Sequence, residues 1–218
     1  MNQETINFVE DLKKDPNVTG VILFGSWARG NNRPESDVDL VVILKEGYKR
    51  TVEYRNNQAF EIIYTTDKGA FDFWESHKDD AAGLWEVAKI LYDADGTVAN
   101  LEEKIKKVLK EGKKTIDDFQ KEQLMFDAED ILHYTELVHS TDPTTANLLL
   151  TNKVFCLTEL FFDLRRLWTP TPKQRLAKIK EISPEFYSLL LVFYREDSEF
   201  NQKLDLAKQM LLIIFSKV

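Results

Sequence analysis

Two short segments hold the side chains of this sequence best suited to phosphate chemistry: Phe24-Gly25-Ser26-Trp27-Ala28-Arg29-Gly30 and Ser36-Asp37-Val38-Asp39-Leu40. Gly25 permits tight backbone approach, and the free N–H groups where a helix opens attract anions. Ser26 can donate a further hydrogen bond to a phosphate oxygen. Arg29 lies one turn on and can face the same anion. Asp37 and Asp39 are two residues apart, so on a strand both carboxylates point to one face. Like charges that close repel unless a cation lies between them. The residues around them, Val38 and Leu40-Val41-Val42-Ile43, are core material. An acid pair at the mouth of such a strand suits a hard divalent ion with oxygen ligands, Mg²⁺ or Mn²⁺. Alone, an Asp-x-Asp is more often an exposed strand end, and a Gly-Ser a plain turn. A third acid, Glu61, interrupts the apolar run Ala59-Phe60-Glu61-Ile62-Ile63-Tyr64. If that run pairs beside the Asp37 strand, the three carboxylates can form one cluster.

The elements that must hold these residues follow from periodicity. Ile6, Val9 and Leu12 predict a helix over Thr5–Lys14. Val18–Phe24 and Asp37–Leu44 predict strands, and Gly25 opens a short helix between them. Thr51–Arg55 and Ala59–Thr65 flank Asn56-Asn57-Gln58 and predict a hairpin. Helices are expected near Ala70–His77 and Ala82–Leu91, then a turn at Tyr92–Gly96. Thr97 is expected to cap a helix running to Glu111, with Gly112 as its stop. Beyond Gly112 the strand signals vanish. Lys114–Ser140, Thr145–Trp168, a short segment, Pro184–Tyr194 and Glu199–Phe215 read as helices that pack as a bundle. The fold class is therefore α+β: a mixed sheet with flanking helices over residues 1–112, followed by an all-α helical bundle over residues 113–218.

Several function classes fall away. With 218 residues, 43% apolar and 30% charged, the chain has ordinary globular composition and needs no disulfide or structural metal to fold. The single cysteine, Cys156, excludes a disulfide framework and suits a reducing cytoplasm. Cys156 is expected to be an inert core thiol. No signal peptide or transmembrane run is seen, so a cytoplasmic protein off the membrane is expected. The net charge of −8 argues against a polymerase or other protein that grips long nucleic acid. Residues 1–112 carry 15 Lys/Arg and 21 Asp/Glu, and residues 113–218 carry 14 and 16. Within 165–180 lie Arg165, Arg166, Lys173, Arg175, Lys178 and Lys180 with no acid among them. No Gly-x-x-x-x-Gly-Lys-Ser/Thr is present, which disfavours a P-loop ATPase. His77, His133 and His139 show no ligand spacing. Trp74, Trp85, Phe155, Phe161 and Phe162 are expected in cores. Trp27 is expected either to cover a base or to pack on the helical half.

Glycine-serine, then about ten residues, then Asp-x-Asp, then a third acid on a later strand resembles the nucleotidyltransferase superfamily that includes polymerase beta. Gly-Ser-Trp-Ala-Arg-Gly with Ser-Asp-Val-Asp-Leu matches its compact bacterial branch over about residues 5–112. Arg166-Leu167-Trp168-Thr169-Pro170-Thr171-Pro172-Lys173 is more loosely similar to a Trp/Pro/Lys segment of antibiotic nucleotidyltransferases of the kanamycin and streptomycin type. The resemblance implies a nucleotidyltransferase-type fold and Asp37, Asp39 and Glu61 as metal ligands. It implies that Gly25, Ser26, Arg29 and Lys173 contact the nucleotide, and that Glu61, Asp in many members, is ligand or general base. The expected reaction moves AMP from ATP, or another nucleoside monophosphate from its triphosphate, to a hydroxyl of a small-molecule acceptor, with release of pyrophosphate. Glu122, Asp127, Glu129 and Asp130 could attract an aminoglycoside-like cation. The alternative is an antitoxin-like or regulatory module of the same fold that binds or modifies a protein. Oligomeric state is left open. Asp-x-Asp is also used by glycosyltransferases, but Gly25-Ser26 upstream speaks against that class.

Overall fold

In a computed structural model describing residues 2–195 and 198–216, the β-branched and apolar runs form a mixed five-stranded sheet. Its strands are β1 (Val18–Leu23), β2 (Val38–Leu44), β3 (Lys49–Arg55), β4 (Gln58–Thr66) and β5 (Lys89–Asp93), in the order β3-β4-β2-β1-β5. β2 and β4 run parallel, and the other neighbours are antiparallel. Asn56 and Asn57 close the β3–β4 hairpin with φ of 46° and 66°. Two left-handed residues match the right-handed twist of the strands, and asparagine tolerates them.

Both faces of the sheet are covered, by different helices. On one face Val38, Leu40 and Val42 alternate inward with Val21, Leu23, Phe60 and Ile62. They pack on Phe8 and Val9 of α1 (Gln3–Leu12) and Ala28 of α2 (Gly25–Arg29). On the other face Ile22 and Ile43 pack on α3 (Asp67–Ser76), α4 (Lys78–Trp85) and α5 (Thr97–Glu111), through Ala70, Trp74, Ala81, Trp85, Val98, Leu101 and Ile105. Each large side chain buried here contributes about 1.5–3 kcal/mol of transfer free energy, an upper bound because the unfolded chain already buries some of it.

Two expectations fail in this half. Ala82–Leu91 is not one helix: α4 stops at Trp85, and Lys89–Asp93 is strand β5, antiparallel to β1. A short apolar run carries no periodicity that separates helix from strand. The open edge of β1 decides, since pairing there satisfies backbone groups that a helix end would strand. Nor does Thr97 cap α5. Asp93 does, accepting from the N–H groups of Gly96, Val98 and Ala99, while Asp95 accepts from Thr97 N–H.

By its internal contacts the chain forms two units, Met1–Glu111 and Gly112–Val218. Among the described residues the second unit holds α6 (Asp118–Val138), α7 (Pro143–Leu164), α8 (Pro172–Ile182), α9 (Pro184–Phe193) and α10 (Phe200–Ser216). Its core is drawn from helical rows: Leu150, Val154, Leu157 and Phe161 of α7 meet Leu132 of α6, Phe186 and Leu190 of α9, and Leu204, Leu211 and Ile214 of α10. Three of its helices start with proline, whose missing N–H is an orphan at that position anyway. Asp142 caps α7 through Thr145 N–H, so Asp142-Pro143 begins a helix as well as ending one. Asp117 and Gln120 form a reciprocal capping box on α6.

Phe155 and Cys156 are corrections. Phe161 and Phe162 are buried, but Phe155 is 41% exposed and Cys156 is exposed. α7 turns to its core the face that bears Leu150, Val154, Leu157, Phe161, Phe162 and Leu164, and positions 155 and 156 fall off it. No described helix is long and apolar enough to cross a membrane.

Candidate active site

Asp39 stands on β2 opposite Glu61 of β4, in parallel register. Both therefore project from the sheet face that bears Ile43, whose far end is covered by α3–α5. Asp37 precedes β2 by one residue and falls on the same side. A carboxylate oxygen from each of Asp37, Asp39 and Glu61 lies within 4.8 Å of the others. Asp37 is exposed, and Asp39 and Glu61 are half-buried, so the cluster opens to solvent. The structure thus brings together the three acids singled out from the sequence. Three carboxylate oxygens on one face are a donor set suited to a hard divalent ion.

Gly25 completes the floor. Its φ is +68°, and a Cβ built on it would lie 1.7 Å from Asp39 Oδ2. Only glycine lets the β1–α2 backbone pass this close to the Asp39 carboxylate. Phe24 N–H donates to Asp39 C=O at 2.9 Å, locking the turn to β2. Ser26 and Arg29 lie on the single turn of α2, both half-buried. Lys173 is exposed on the first turn of α8, in the second unit. Glu122, Asp127, Glu129 and Asp130 are all exposed on α6.

Three positioning side chains escaped the sequence reading, Gln58, Asn2 and Arg50, and Trp27, expected to cover a base or to pack on the helical half, packs on the core of its own unit. Trp27 Nε1 donates to Ser36 C=O at 3.2 Å, and Gln58 Nε2 donates to the same oxygen at 2.9 Å. Asn2 Nδ2 in turn donates to Gln58 Oε1 at 3.1 Å. The residue before Asp37 is thereby pinned from α2 and from the start of β4, and the Trp27 ring packs against the α1/α2 core. The third is Arg50 on β3. Its Nη2 donates to Glu61 Oε1. That hydrogen bond, and then the carboxylate charge, hold the guanidinium above its usual value. The Asn56-Asn57 turn was the available signal: a two-residue hairpin sets Val52 opposite Glu61 and Arg50 opposite Ile63, diagonal to Glu61.

With that geometry in place, the chain can be compared with known proteins. Residues 4–129 match the family model described as a nucleotidyltransferase domain. A putative protein adenylyltransferase of Methanocaldococcus jannaschii is 33% identical over 113 residues, covering 47% of this chain and 77% of that protein. A second protein of the same description and organism is 43% identical over 49 residues, 20% of this chain and 50% of that protein. The solved structure of a nucleotidyltransferase-like protein from Exiguobacterium sibiricum aligns with a TM-score of 0.54 at 13% identity, covering 98% of this chain and 74% of that one. At that identity the likeness is one of fold alone.

Proposed function

The chain belongs to the nucleotidyltransferase domain family, and from that premise we propose that it moves AMP from ATP to an acceptor hydroxyl, releasing pyrophosphate. One observation carries the proposal: Asp37, Asp39 and Glu61 offer oxygens within 4.8 Å of one another.

The roles follow from chemistry. Asp37, Asp39 and Glu61 would hold Mg²⁺ or Mn²⁺, which supplies Lewis-acid polarisation of the triphosphate and lowers the pKa of the acceptor hydroxyl. Gly25 lets the β1–α2 turn pass against Asp39, which sets the half-buried Ser26 beside the cluster, and the Ser26 hydroxyl donates to a phosphate oxygen. The acceptor oxygen bonds to the α-phosphorus as the bond from that phosphorus to the β-phosphate bridge breaks. Glu61, where it is not fully engaged as a ligand, takes the acceptor proton. Arg29 offsets charge that builds on the departing pyrophosphate.

The acceptor reading has two branches. The two relatives are named as putative protein adenylyltransferases, which favours a hydroxyl on a protein over the small cationic molecule expected from the sequence. Val52 faces Glu61 across β3–β4, and Val52 and Tyr54 are 54% and 76% exposed. An acceptor approaching over β3 would meet them first.

The test is calorimetric titration of a non-hydrolysable ATP analogue with Mg²⁺ into wild type and Asp37→Asn/Asp39→Asn. Metal-dependent binding lost in the double variant is expected. Binding that is absent from folded wild type, or retained in the variant, refutes the proposal. Transfer of α-labelled phosphate from ATP to protein or to small-molecule acceptors then separates the two branches.

A further inference from the structure

Arg50 has no task in the reaction as written above, yet it is bound to the cluster. β3 is the edge strand of the sheet. Val52 pairs with Glu61 and Ile63 with Arg50, so the Arg50 side chain leaves the sheet on the face of Asp39 and Glu61. Nη2 of Arg50 donates to Oε1 of Glu61, with the two side chains 63% and 33% exposed. Three negative groups this close need a positive one, and Arg50 is the basic side chain that the structure shows bonded to Glu61.

We infer that Arg50 is an internal counter-ion of the acid cluster that competes with the divalent cation for Glu61. The inference rests on the reading of the cluster as a cation site. An ion pair this exposed is weak and its partner can swing into water, so the carboxylate can be given up to an ion bearing twice the charge. The guanidinium cannot lose its proton to make way, because arginine stays charged. It must move. Holding Glu61 aimed inward while the site awaits its ion keeps the three oxygens together, and the exchange sets the affinity for metal below what three carboxylates alone would reach. Arg50 is thus a positioning residue acting through Glu61.

The experiment titrates the full chain with Mn²⁺ alone, by calorimetry, in wild type, Arg50→Gln, Arg50→Ala, Arg50→Lys and Asp37→Asn/Asp39→Asn. Removing one positive charge a few ångströms from a divalent ion should tighten Mn²⁺ binding about three- to tenfold in Arg50→Gln and Arg50→Ala at low salt. The gain should shrink at high salt, because exposed charges are screened. Arg50→Lys, which keeps the charge, should stay within about twofold of wild type. Circular dichroism checks that each variant is folded. Unchanged or weaker Mn²⁺ binding in both neutral variants, with Asp37→Asn/Asp39→Asn losing it, overturns the role of Arg50 and leaves the cation site standing. Absence of Mn²⁺ binding in every folded protein, or full retention in the double Asn variant, overturns both.

Discussion

Gly25→Ala puts a methyl group where the Asp39 carboxylate already lies. Its Cβ would be 1.7 Å from Oδ2 and 2.7 Å from Cγ, and Gly25 has a φ of +68°. The variant therefore suffers twice. A left-handed backbone costs a residue with Cβ about 1–2 kcal/mol. The clash also forces Asp39 to retreat, by about 1.7 Å to reach an ordinary contact of 3.4 Å. Misplacing a catalytic group by about 1 Å costs on the order of a hundredfold in rate. Gly30→Ala supplies the control. Gly30 has a φ of +77° and nothing within 4 Å of its would-be Cβ, so it carries the backbone cost without the clash. Both variants should lose about 1–2 kcal/mol of stability, read as a fall in Tm of about 2–4 °C per kcal/mol. Only Gly25→Ala should lose metal-dependent binding of the ATP analogue, with transfer falling by roughly a hundredfold or more. Scanning calorimetry and titration calorimetry read the two effects separately. Gly25→Ala binding like wild type, or Gly30→Ala losing binding as severely, would refute the geometry of this turn.

The helical unit and the α5 cap allow three simpler tests. Arg175 is 5% exposed, donating to Thr158 Oγ1 at 3.1 Å and to Pro170 C=O at 3.2 Å and pairing with Glu159 at 3.1 Å. Arg175→Met should cost about 1–3 kcal/mol in urea unfolding, because the buried Thr158 hydroxyl and the part-buried Pro170 carbonyl lose their donor, and a loss below about 0.5 kcal/mol would mark the network as decorative. Asp93→Ala should destabilise by about 1–2 kcal/mol, since Asp93 serves three N–H groups at the start of α5. Thermal melting of Asp93→Asn, which can still accept, should fall between that variant and wild type. Asp142 is held below the ordinary 3.8 by hydrogen bonds from Thr145, first the side chain and then the backbone. A depressed carboxylate stabilises above its unfolded pKa and stops doing so as pH falls through its folded one. The gap in Tm between wild type and Asp142→Ala should thus be full at neutral pH and close below about pH 3.8; a gap independent of pH would contradict the cap.

Much of this molecule was legible before folding was considered. Val18–Leu23 and Val38–Leu44 announced themselves by β-branched runs, the Asn56-Asn57 hairpin by turn chemistry, and α7 by its row of Leu and Phe. Where reading failed, the missing term was a partner distant in sequence. Lys89–Asp93 became a strand because β1 offered an edge. Phe155 and Cys156 lie in an apolar helix, and exposure went to them because the other face found the core first.

The same division runs through the active site. Residue type and local spacing determined that Asp37 and Asp39 share a face and that Gly25 opens a turn, since both depend on backbone geometry over a few residues. Tertiary structure alone decided that Glu61 sits beside Asp39, because the parallel pairing of β2 with β4 is set by how the sheet closes over α1 and α2. It alone decided that Gly25 passes against the Asp39 carboxylate. Those are through-space relations between segments that no local periodicity encodes, whereas the Arg50–Glu61 contact follows from the register of one two-residue hairpin.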